Sequence, residues 1–218
     1  MKVFNCEQGS LDWFMIRKGR PTASCFHRII TRIKKKPAAG ARAYAYELAA
    51  EAVRETPTDG SENYMTRAMI HGAETEKEAR RWYQMHTDTD VEQVGFLMSD
   101  DGRFGASPDG LVASEGGLEL KCPLLQTHIG YLDNPDALLT TYRWQVHGAL
   151  LVSGRQWWDL VSYAVGVQPL VIRVTPDDDT ALLSEALRGF WQMYVEILAL
   201  IRLGVADGAR EIEGVDLA

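Results

Sequence analysis

The chain has 218 residues, of which 46% are hydrophobic and 24% charged, and its formal net charge is −7 at pH 7. This length and composition favour a single globular domain, residues 1–218, with a sizeable core. No apolar run approaches the roughly 18 residues that a membrane span needs. Charges at Lys2, Glu7 and Asp12 stand where a signal peptide would be apolar. The three cysteines are widely spaced, which argues against a disulfide framework and favours a reducing cytoplasm.

Positive charge is concentrated towards the N-terminus. Residues 1–60 hold eleven Lys and Arg against six Asp and Glu, whereas residues 61–218 hold twelve against twenty-four. Nine basic residues and no acidic one occur from Arg17 to Arg42. Such a segment can bind phosphates even on an acidic protein, because salt screens charges beyond about 8–10 Å. The alternative is a solvated run of charges, and charge alone does not decide between the two.

The predicted elements alternate between helix and strand in chain order. Apolar periodicity and Gly/Pro breakers predict helices over residues 10–19, 22–33, 42–55, 62–85, 136–153 and 177–203, with a loop at 34–40. Short runs of strand-forming residues predict strands over residues 93–98, 103–107, 110–113, 117–122, 157–165 and 170–175. Gly154 stands where a left-handed helix cap is usual. This order predicts an α/β fold in which helices flank a central mixed β-sheet.

The helix predicted over residues 62–85 carries an unusual carboxylate. Its apolar stripe recurs at steps of three and four residues and contains Met65, Met69, Gly72, Glu76, Ala79 and Tyr83. Glu76 therefore lies on the face that is expected to contact the rest of the protein, where an unpaired carboxylate is rare. Glu76 is either a functional group or the partner of a neighbouring cation such as Arg80.

The strand Gly117-Leu-Glu-Leu-Lys-Cys-Pro123 is the most informative segment. Strand alternation places Leu118 and Leu120 on one face and Glu119 and Lys121 on the other. A glutamate and a lysine at this spacing are commonly a surface ion pair. The functional interpretation therefore depends on a second feature, which lies upstream.

That feature is the turn Ser107-Pro-Asp-Gly110, ten residues before Glu119. The turn allows the two flanking strands to pair, which would bring Asp109 beside Glu119. Two adjacent carboxylates repel each other and bind a hard divalent cation through their oxygens. Lys121 would then be placed to hold an attacking water or a phosphate oxygen. The sequence therefore predicts a metal-dependent hydrolytic centre.

These residues resemble the signature of the PD-(D/E)XK nucleases, and other segments resemble a narrower family, the phage lambda-type exonucleases or YqaJ-like viral recombinases. The similarity covers roughly residues 7–165. Its segments, in the order of the family, are Glu7-Gln-Gly-Ser10 with Trp13, Arg17-Lys-Gly-Arg-Pro-Thr-Ala-Ser24, Gly72-Ala-Glu-Thr-Glu76, Ser107-Pro-Asp-Gly110, Leu118-Glu-Leu-Lys-Cys-Pro123 and Gln145. His147 departs from the pattern, since relatives often carry a second glutamine there, and a packed or surface histidine is an equal alternative.

The resemblance implies a role for each matching residue. Asp109, Glu119 and the carbonyl of Leu120 are expected to bind Mg²⁺, with Glu76 completing the site directly or through water. Mn²⁺ is expected to substitute and Ca²⁺ to inhibit. Lys121 is expected to orient the attacking water and to help deprotonate it. Gln145 resembles the polar helix residue that closes this site, and the alternative for it is a buried glutamine satisfied by backbone groups.

A second group of residues is expected to bind the 5′-phosphate of a DNA end. Thr22 and Ser24 are good N-cap types at the start of the helix predicted over residues 22–33, and a helix start attracts anions. Arg17 can contact two phosphate oxygens, and Ser107 adds a hydroxyl beside the predicted metal site. The alternative is that Ser24 only caps a helix and that Arg17 is a surface residue.

The resemblance implies a 5′→3′ exonuclease that degrades linear double-stranded DNA, releases 5′ mononucleotides and leaves a 3′ single strand for recombination. It also implies a ring-shaped homotrimer and a partner single-strand annealing protein. Two other functions remain open, another PD-(D/E)XK repair or restriction endonuclease and a catalytically inactive DNA-binding module. A relative with an iron–sulfur cluster is disfavoured, because the chain has three cysteines and such clusters use four cysteine ligands.

Overall fold

The computed structural model describes residues 1–54 and 67–206. The strands are β1 (Lys2–Phe4), β2 (Val91–Glu92), β3 (Phe96–Met98), β4 (Gly105–Ala106), β5 (Gly110–Val112), β6 (Gly116–Lys121), β7 (Trp157–Ser162) and β8 (Leu170–Val174). The helices are α1 (Leu11–Arg17), a 3₁₀ helix (Ala23–Arg28), α2 (Ala41–Val53), α3 (Arg67–Thr87), α4 (Leu125–Asp133), α5 (Pro135–Ser153) and α6 (Asp178–Ala206). In these described ranges, no helix combines the length and the apolar character that crossing a membrane requires.

A five-stranded mixed sheet, in the order β2-β5-β6-β7-β8, forms the centre of the molecule. Only β6 and β7 are parallel in this sheet, and the other neighbouring pairs are antiparallel. A parallel pair requires a long crossover connection, which α4 and α5 provide between β6 and β7. Strands β1, β3 and β4 form a separate antiparallel sheet. The predicted α/β class is confirmed, although the strands predicted over residues 93–98 and 103–107 contribute to this second sheet.

Helices cover both faces of the central sheet. The larger core lies on the α5 side and includes Trp144, Trp158 and Leu160. The smaller core lies on the α3 side and includes Tyr83 and Leu118, which are fully buried. Each fully buried side chain of this size contributes roughly 1.5–3 kcal/mol to folding. The alternation predicted along β6 is therefore present, with its leucines facing α3.

The α3 side of the sheet also carries an ion pair in which the carboxylate is buried and the arginine is exposed. Asp159 of β7 accepts two hydrogen bonds from Arg173 of β8, both at 2.8 Å, and a third from the Tyr83 hydroxyl at 2.7 Å. The Arg173 guanidinium also stacks on Trp157, with its carbon 3.8 Å from the ring centroid. Buried charges persist when they are paired and hydrogen-bonded, so this network fastens α3 and β8 to the central strand.

Several element boundaries differ from the prediction. The helix predicted over residues 22–33 is wrong beyond a 3₁₀ helix at Ala23–Arg28, because Ile30 pairs with Pro37 and turns the chain away. Helix α4 and strand β1 were not predicted. The predicted helix over 62–85 is confirmed from Arg67 onwards, whereas residues 62–66 lie outside the described residues. Gly154 ends α5 with a φ of 67°, as predicted.

Candidate active site

The pairing of β5 with β6 brings Asp109 next to β6, the strand that carries Glu119 and Lys121. Asp109 immediately precedes β5, and its backbone N–H donates to the carbonyl of Leu118 at 3.2 Å. The backbone N–H of Leu120 donates in return to Asp109 Oδ2 at 2.6 Å. The Asp109 carboxylate is therefore held against the segment that carries Glu119, as the turn at residues 107–110 predicted.

Lys121 and Gln145 converge on the same oxygen of Glu119. Lys121 Nζ lies 2.6 Å from Glu119 Oε1, and Gln145 Nε2 of helix α5 donates to that oxygen at 2.5 Å. The Lys121 ammonium also lies 4.6 Å from the centre of the Tyr142 ring. Glu119 is only 4% exposed, so this glutamate and lysine do not form a simple surface ion pair. Gln145 therefore forms a hydrogen bond with the Glu119 carboxylate, in place of the backbone groups that the alternative interpretation required.

Burial and mutual repulsion shape the acidity of these groups. Burial raises the pKa of Asp109 well above its usual value, and the Glu119 charge raises that pKa further. Burial also raises the pKa of Glu119, and the charge of Lys121 offsets only part of that rise. Burial lowers the pKa of Lys121, but the charges of Glu119 and Asp109 outweigh burial and raise it overall. The centre therefore favours additional positive charge beside its carboxylates.

Glu76 lies at the edge of this centre and is paired. Its carboxylate is 2.5 Å from Arg80 Nη2, and its side chain is 36% exposed. Arg80 Nε also donates to the carbonyl of Asp109 at 3.2 Å. The prediction of a buried stripe holds for Ala79 and Tyr83, which are fully buried, whereas Glu76 on the same stripe is half-buried. Its charge still raises the pKa of both Asp109 and Glu119.

The carboxylate oxygens of this centre suit a hard divalent cation, but the side chains alone do not provide all of its ligands. Three carboxylates, of Asp109, Glu119 and Glu76, face two cations, Lys121 and Arg80, which leaves one negative charge uncompensated. Carboxylate and carbonyl oxygens are the ligands that Mg²⁺ prefers, and Mg²⁺ usually retains several waters. Among the side chains that the structure describes, no three of His, Cys, Asp or Glu converge closely enough to hold a metal ion by themselves. Waters and a backbone carbonyl would therefore be needed as further ligands.

The four residues expected to bind a 5′-phosphate form a connected series. Arg17 Nη1 donates to Ser107 Oγ at 2.8 Å, and Arg17 Nη2 lies 3.5 Å from Thr22 Oγ1. The hydroxyls of Thr22 and Ser24 are 3.4 Å apart. Burial lowers the pKa of Arg17. The hydrogen bonds to Ser107 and Thr22 show that Arg17 is not a free surface arginine. Since Ser107 is two residues from Asp109, the series adjoins the carboxylates.

The predicted reason for this grouping needs correction. The segment after Thr22 is a six-residue 3₁₀ helix, and Thr22 makes no side-chain capping hydrogen bond. A helix this short lacks the aligned peptide dipoles on which the anion-binding argument depended. Any anion affinity must therefore come from the Arg17 guanidinium and from the hydroxyls of Thr22, Ser24 and Ser107.

His147 is a packed residue. It is 2% exposed, and its Nδ1 is 2.8 Å from Thr180 Oγ1 at the start of α6. Burial lowers the pKa of His147. These contacts support the alternative in which His147 joins α5 to α6, away from Glu119.

Three supporting residues were not assigned a role from the sequence. Gln8 Nε2 donates to the carbonyl of Pro108 at 2.9 Å and so fixes the turn before Asp109. Trp13 Nε1 donates to Ser107 Oγ at 3.0 Å, while the Arg17 guanidinium carbon lies 4.0 Å from the Trp13 ring centroid. Tyr142, whose ring faces Lys121, lies three residues before Gln145 on α5 and therefore shares a face with it. That spacing of three residues was the one signal that could have placed Tyr142 in the site.

The mixed sheet with flanking helices and the strand carrying Glu119 and Lys121 define a nuclease of the PD-(D/E)XK class. The chain belongs to the YqaJ-like viral recombinase domain family, whose model matches residues 12–156. The family match confirms the predicted family, and the solved structures described below confirm the predicted fold and enzyme class. The comparison with curated proteins gave no match.

Solved structures agree with this assignment. An alkaline exonuclease from Laribacter hongkongensis, LHK-Exo, shares 30% identity and superposes with a TM-score of 0.79, covering 92% of this chain and 100% of its own. A structure of LHK-Exo in complex with dAMP matches equally well. A phage-related exonuclease from Haemophilus somnus 129PT shares 12% identity with a TM-score of 0.65, covering 84% of this chain and 96% of its own, and shows the fold alone.

Proposed function

We propose that this protein is a Mg²⁺-dependent exonuclease that degrades linear double-stranded DNA in the 5′→3′ direction and releases 5′ mononucleotides. One observation carries the proposal. The Arg17 guanidinium, the proposed phosphate-binding group, donates a hydrogen bond to Ser107, which is two positions before Asp109. A terminal phosphate held there would place an adjacent phosphodiester near Asp109, Glu119 and Lys121.

Under this proposal Asp109, Glu119 and the Leu120 carbonyl would hold the metal, with Glu76 acting through water. When bound, Mg²⁺ would supply Lewis acidity and a nucleophile at neutral pH. Lys121 Nζ already carries a proton, so it would orient the attacking water and stabilise the developing negative charge, while the proton that this water loses would pass to solvent. Gln145 restrains Glu119 through the 2.5 Å contact, and the Tyr142 ring restrains Lys121.

The predicted direction of degradation depends on recognition of the 5′ end. Arg17 offers a half-buried guanidinium, and guanidinium groups form strong bidentate hydrogen bonds to phosphate oxygens. The related LHK-Exo was solved with dAMP, a nucleoside monophosphate. A mononucleotide is the product class that stepwise removal from a 5′ end would release, which supports the proposal.

The basic segment from Arg17 to Arg42 is proposed to contact the DNA backbone beyond the terminal nucleotide. Contacts of this kind release counterions and depend strongly on salt. A homotrimeric ring around DNA and a single-strand annealing partner complete the proposal, and both derive from family membership.

The two other candidate functions make different predictions for closed circular DNA and for metal. An endonuclease of the same class would cut the circle, and an inactive DNA-binding module would cut nothing. We expect linear duplex to be degraded only with Mg²⁺, and covalently closed circles to stay intact in the same reaction. Cleavage of the circle, or no loss of linear duplex with Mg²⁺, would refute the proposed exonuclease.

A further inference from the structure

The first turn of helix α6 binds the N-terminal basic segment. Asp179 in that turn accepts from Lys35 Nζ at 2.5 Å and pairs with Arg143 Nε at 3.2 Å. The side chain of Asp179 is 13% exposed and that of Arg143 is 18% exposed. Partial burial strengthens an ion pair relative to one on the open surface, because the effective dielectric constant is lower. Asp179 therefore connects α5, α6 and the basic segment at one point.

The residues held there form a short loop, Arg32–Lys36, which we call the lysine loop. Its base is closed by a hydrogen bond from the Thr31 N–H to the Lys36 carbonyl at 2.8 Å. Arg143 Nη1 also lies 3.4 Å from the Arg32 carbonyl. Asp179 and Arg143 thus engage both a side chain and the backbone of the lysine loop.

Lys35 is the residue on which the shape of the loop depends. Its φ is 50°, in the left-handed region that a residue with a Cβ rarely adopts unless its surroundings hold it there. The ion pair with Asp179 provides that restraint and directs the Lys35 ammonium towards the first turn of α6, while the Lys35 side chain stays 39% exposed. The side chains of Arg32, Lys34 and Lys36 remain exposed. The loop therefore presents three free cations while the fourth acts as its anchor.

One turn of helix α5 connects the anchor with strand β6. Arg143 follows Tyr142, whose ring faces Lys121, and precedes Gln145, which donates to Glu119. Successive helix residues point in directions about 100° apart, so one turn of α5 contacts the candidate active site and the lysine loop together. The position of the loop relative to the site is thereby set by a rigid element.

We infer that Asp179 is a positioning residue for DNA binding, which acts by holding the lysine loop so that Arg32, Lys34 and Lys36 face the phosphate backbone of the duplex. This inference rests on the proposed function, because it takes duplex DNA as the ligand. It assigns a role to the C-terminal helix, where the sequence shows no motif. The negative charge of Asp179 by itself would repel DNA, but Asp179 promotes DNA binding because it holds the lysine loop in place.

The opposing signs provide a sharp test. Asp179→Asn removes one negative charge, which by simple electrostatics would strengthen binding to DNA. Loss of the anchor should instead weaken binding, by about fivefold if the partly buried pair contributes roughly 1 kcal/mol. Asp178→Asn is the matched control, because Asp178 carries the same charge on the same helical turn and is exposed. Asp179→Glu, which keeps the charge, should restore most of the affinity.

Binding is measured by fluorescence anisotropy of the full chain with a labelled, 5′-phosphorylated blunt duplex in EDTA, over a range of salt concentrations. We expect weaker binding for Asp179→Asn, unchanged or tighter binding for Asp178→Asn, and a salt slope lower by about one for Lys34→Gln or Lys36→Gln. Binding by Asp179→Asn as tight as by Asp178→Asn would overturn the inference. A wild-type protein that binds duplex but does not cut it with Mg²⁺ would refute the proposed nuclease. The comparison of Asp179→Asn with Asp178→Asn would still test the role of Asp179 in DNA binding. Absence of duplex binding would overturn both.

Discussion

Arg17 donates a hydrogen bond to Ser107 at 2.8 Å, and this contact joins the N-terminal part of the chain to the turn that carries Asp109. The two residues are 90 positions apart in the sequence. Their contact places a half-buried guanidinium two residues from the candidate metal ligand Asp109. The proposed preference for a phosphorylated 5′ end depends on this geometry.

Arg17→Ala should remove most of the preference for a 5′-phosphate over a 5′-hydroxyl while Mg²⁺ binding stays intact. The reason is that the guanidinium supplies the positive charge of the proposed phosphate site. Initial degradation rates on two duplexes that differ only at the 5′ end measure the preference. Arg28→Ala is the control, since Arg28 is paired with Glu47 outside this group. Equal wild-type rates on both ends would remove the phosphate site from the account.

Lys121→Ala should abolish cleavage and leave duplex binding in place. Loss of one well-placed electrostatic group typically lowers the rate by about 10²–10³. Lys77→Ala, on the exposed face of α3, should cut normally. Single-turnover cleavage and anisotropy binding separate the two effects. Turnover near the wild-type level in Lys121→Ala would exclude Lys121 from the mechanism.

Asp109→Ala and Glu119→Ala should each lose both Mg²⁺ binding and Mg²⁺-dependent cleavage, because each removes an oxygen ligand from a hard cation. Isothermal titration calorimetry measures the metal affinity directly. Asp101→Ala, at the exposed turn after β3, should behave as wild type. Mn²⁺ should support cleavage and Ca²⁺ should support DNA binding without cleavage. Unchanged Mg²⁺ affinity in both site variants would contradict the assigned ligands.

Arg173→Leu should lower the free energy of unfolding by about 1–3 kcal/mol, because it leaves the buried Asp159 carboxylate short of hydrogen-bond donors. Arg103→Leu provides a matched comparison, since Arg103 pairs with Asp101 at 3.5 Å on the surface. That loss should be below about 1 kcal/mol. Urea denaturation followed by circular dichroism gives both values, and similar small losses would show that the Asp159 pair contributes little.

The central strand and its carboxylates were predictable from local patterns. Alternation along residues 117–122 and the turn before Gly110 determine which side chains share a face, and both rules act over a few residues. The contact of Gln145 with Glu119 joins two elements that are distant in sequence. Only the family resemblance, and not spacing, indicated that contact.

The errors arose where distant contacts compete with local preferences. The N-cap types at Thr22 and Ser24 favoured a helix, but pairing of Ile30 with Pro37 ends it at Arg28. Periodicity placed Glu76 on a buried stripe, but it does not determine how deeply each residue of the stripe is buried, and Glu76 is half-buried. The ion pair between Asp179 and Lys35 joins residues that are 144 positions apart, so no local sequence pattern predicts it.

The release of label from a linear duplex tests the central claim most directly. The duplex carries a 5′-phosphate and is labelled on the 5′-terminal nucleotide of one sample and on the 3′-terminal nucleotide of another. With Mg²⁺, the wild type should release the 5′ label as a mononucleotide from the start of the reaction and the 3′ label only late or not at all. Lys121→Ala should release neither. Early release of the 3′ label, or release of the 5′ label within longer fragments, would contradict a 5′→3′ exonuclease that acts at Asp109, Glu119 and Lys121.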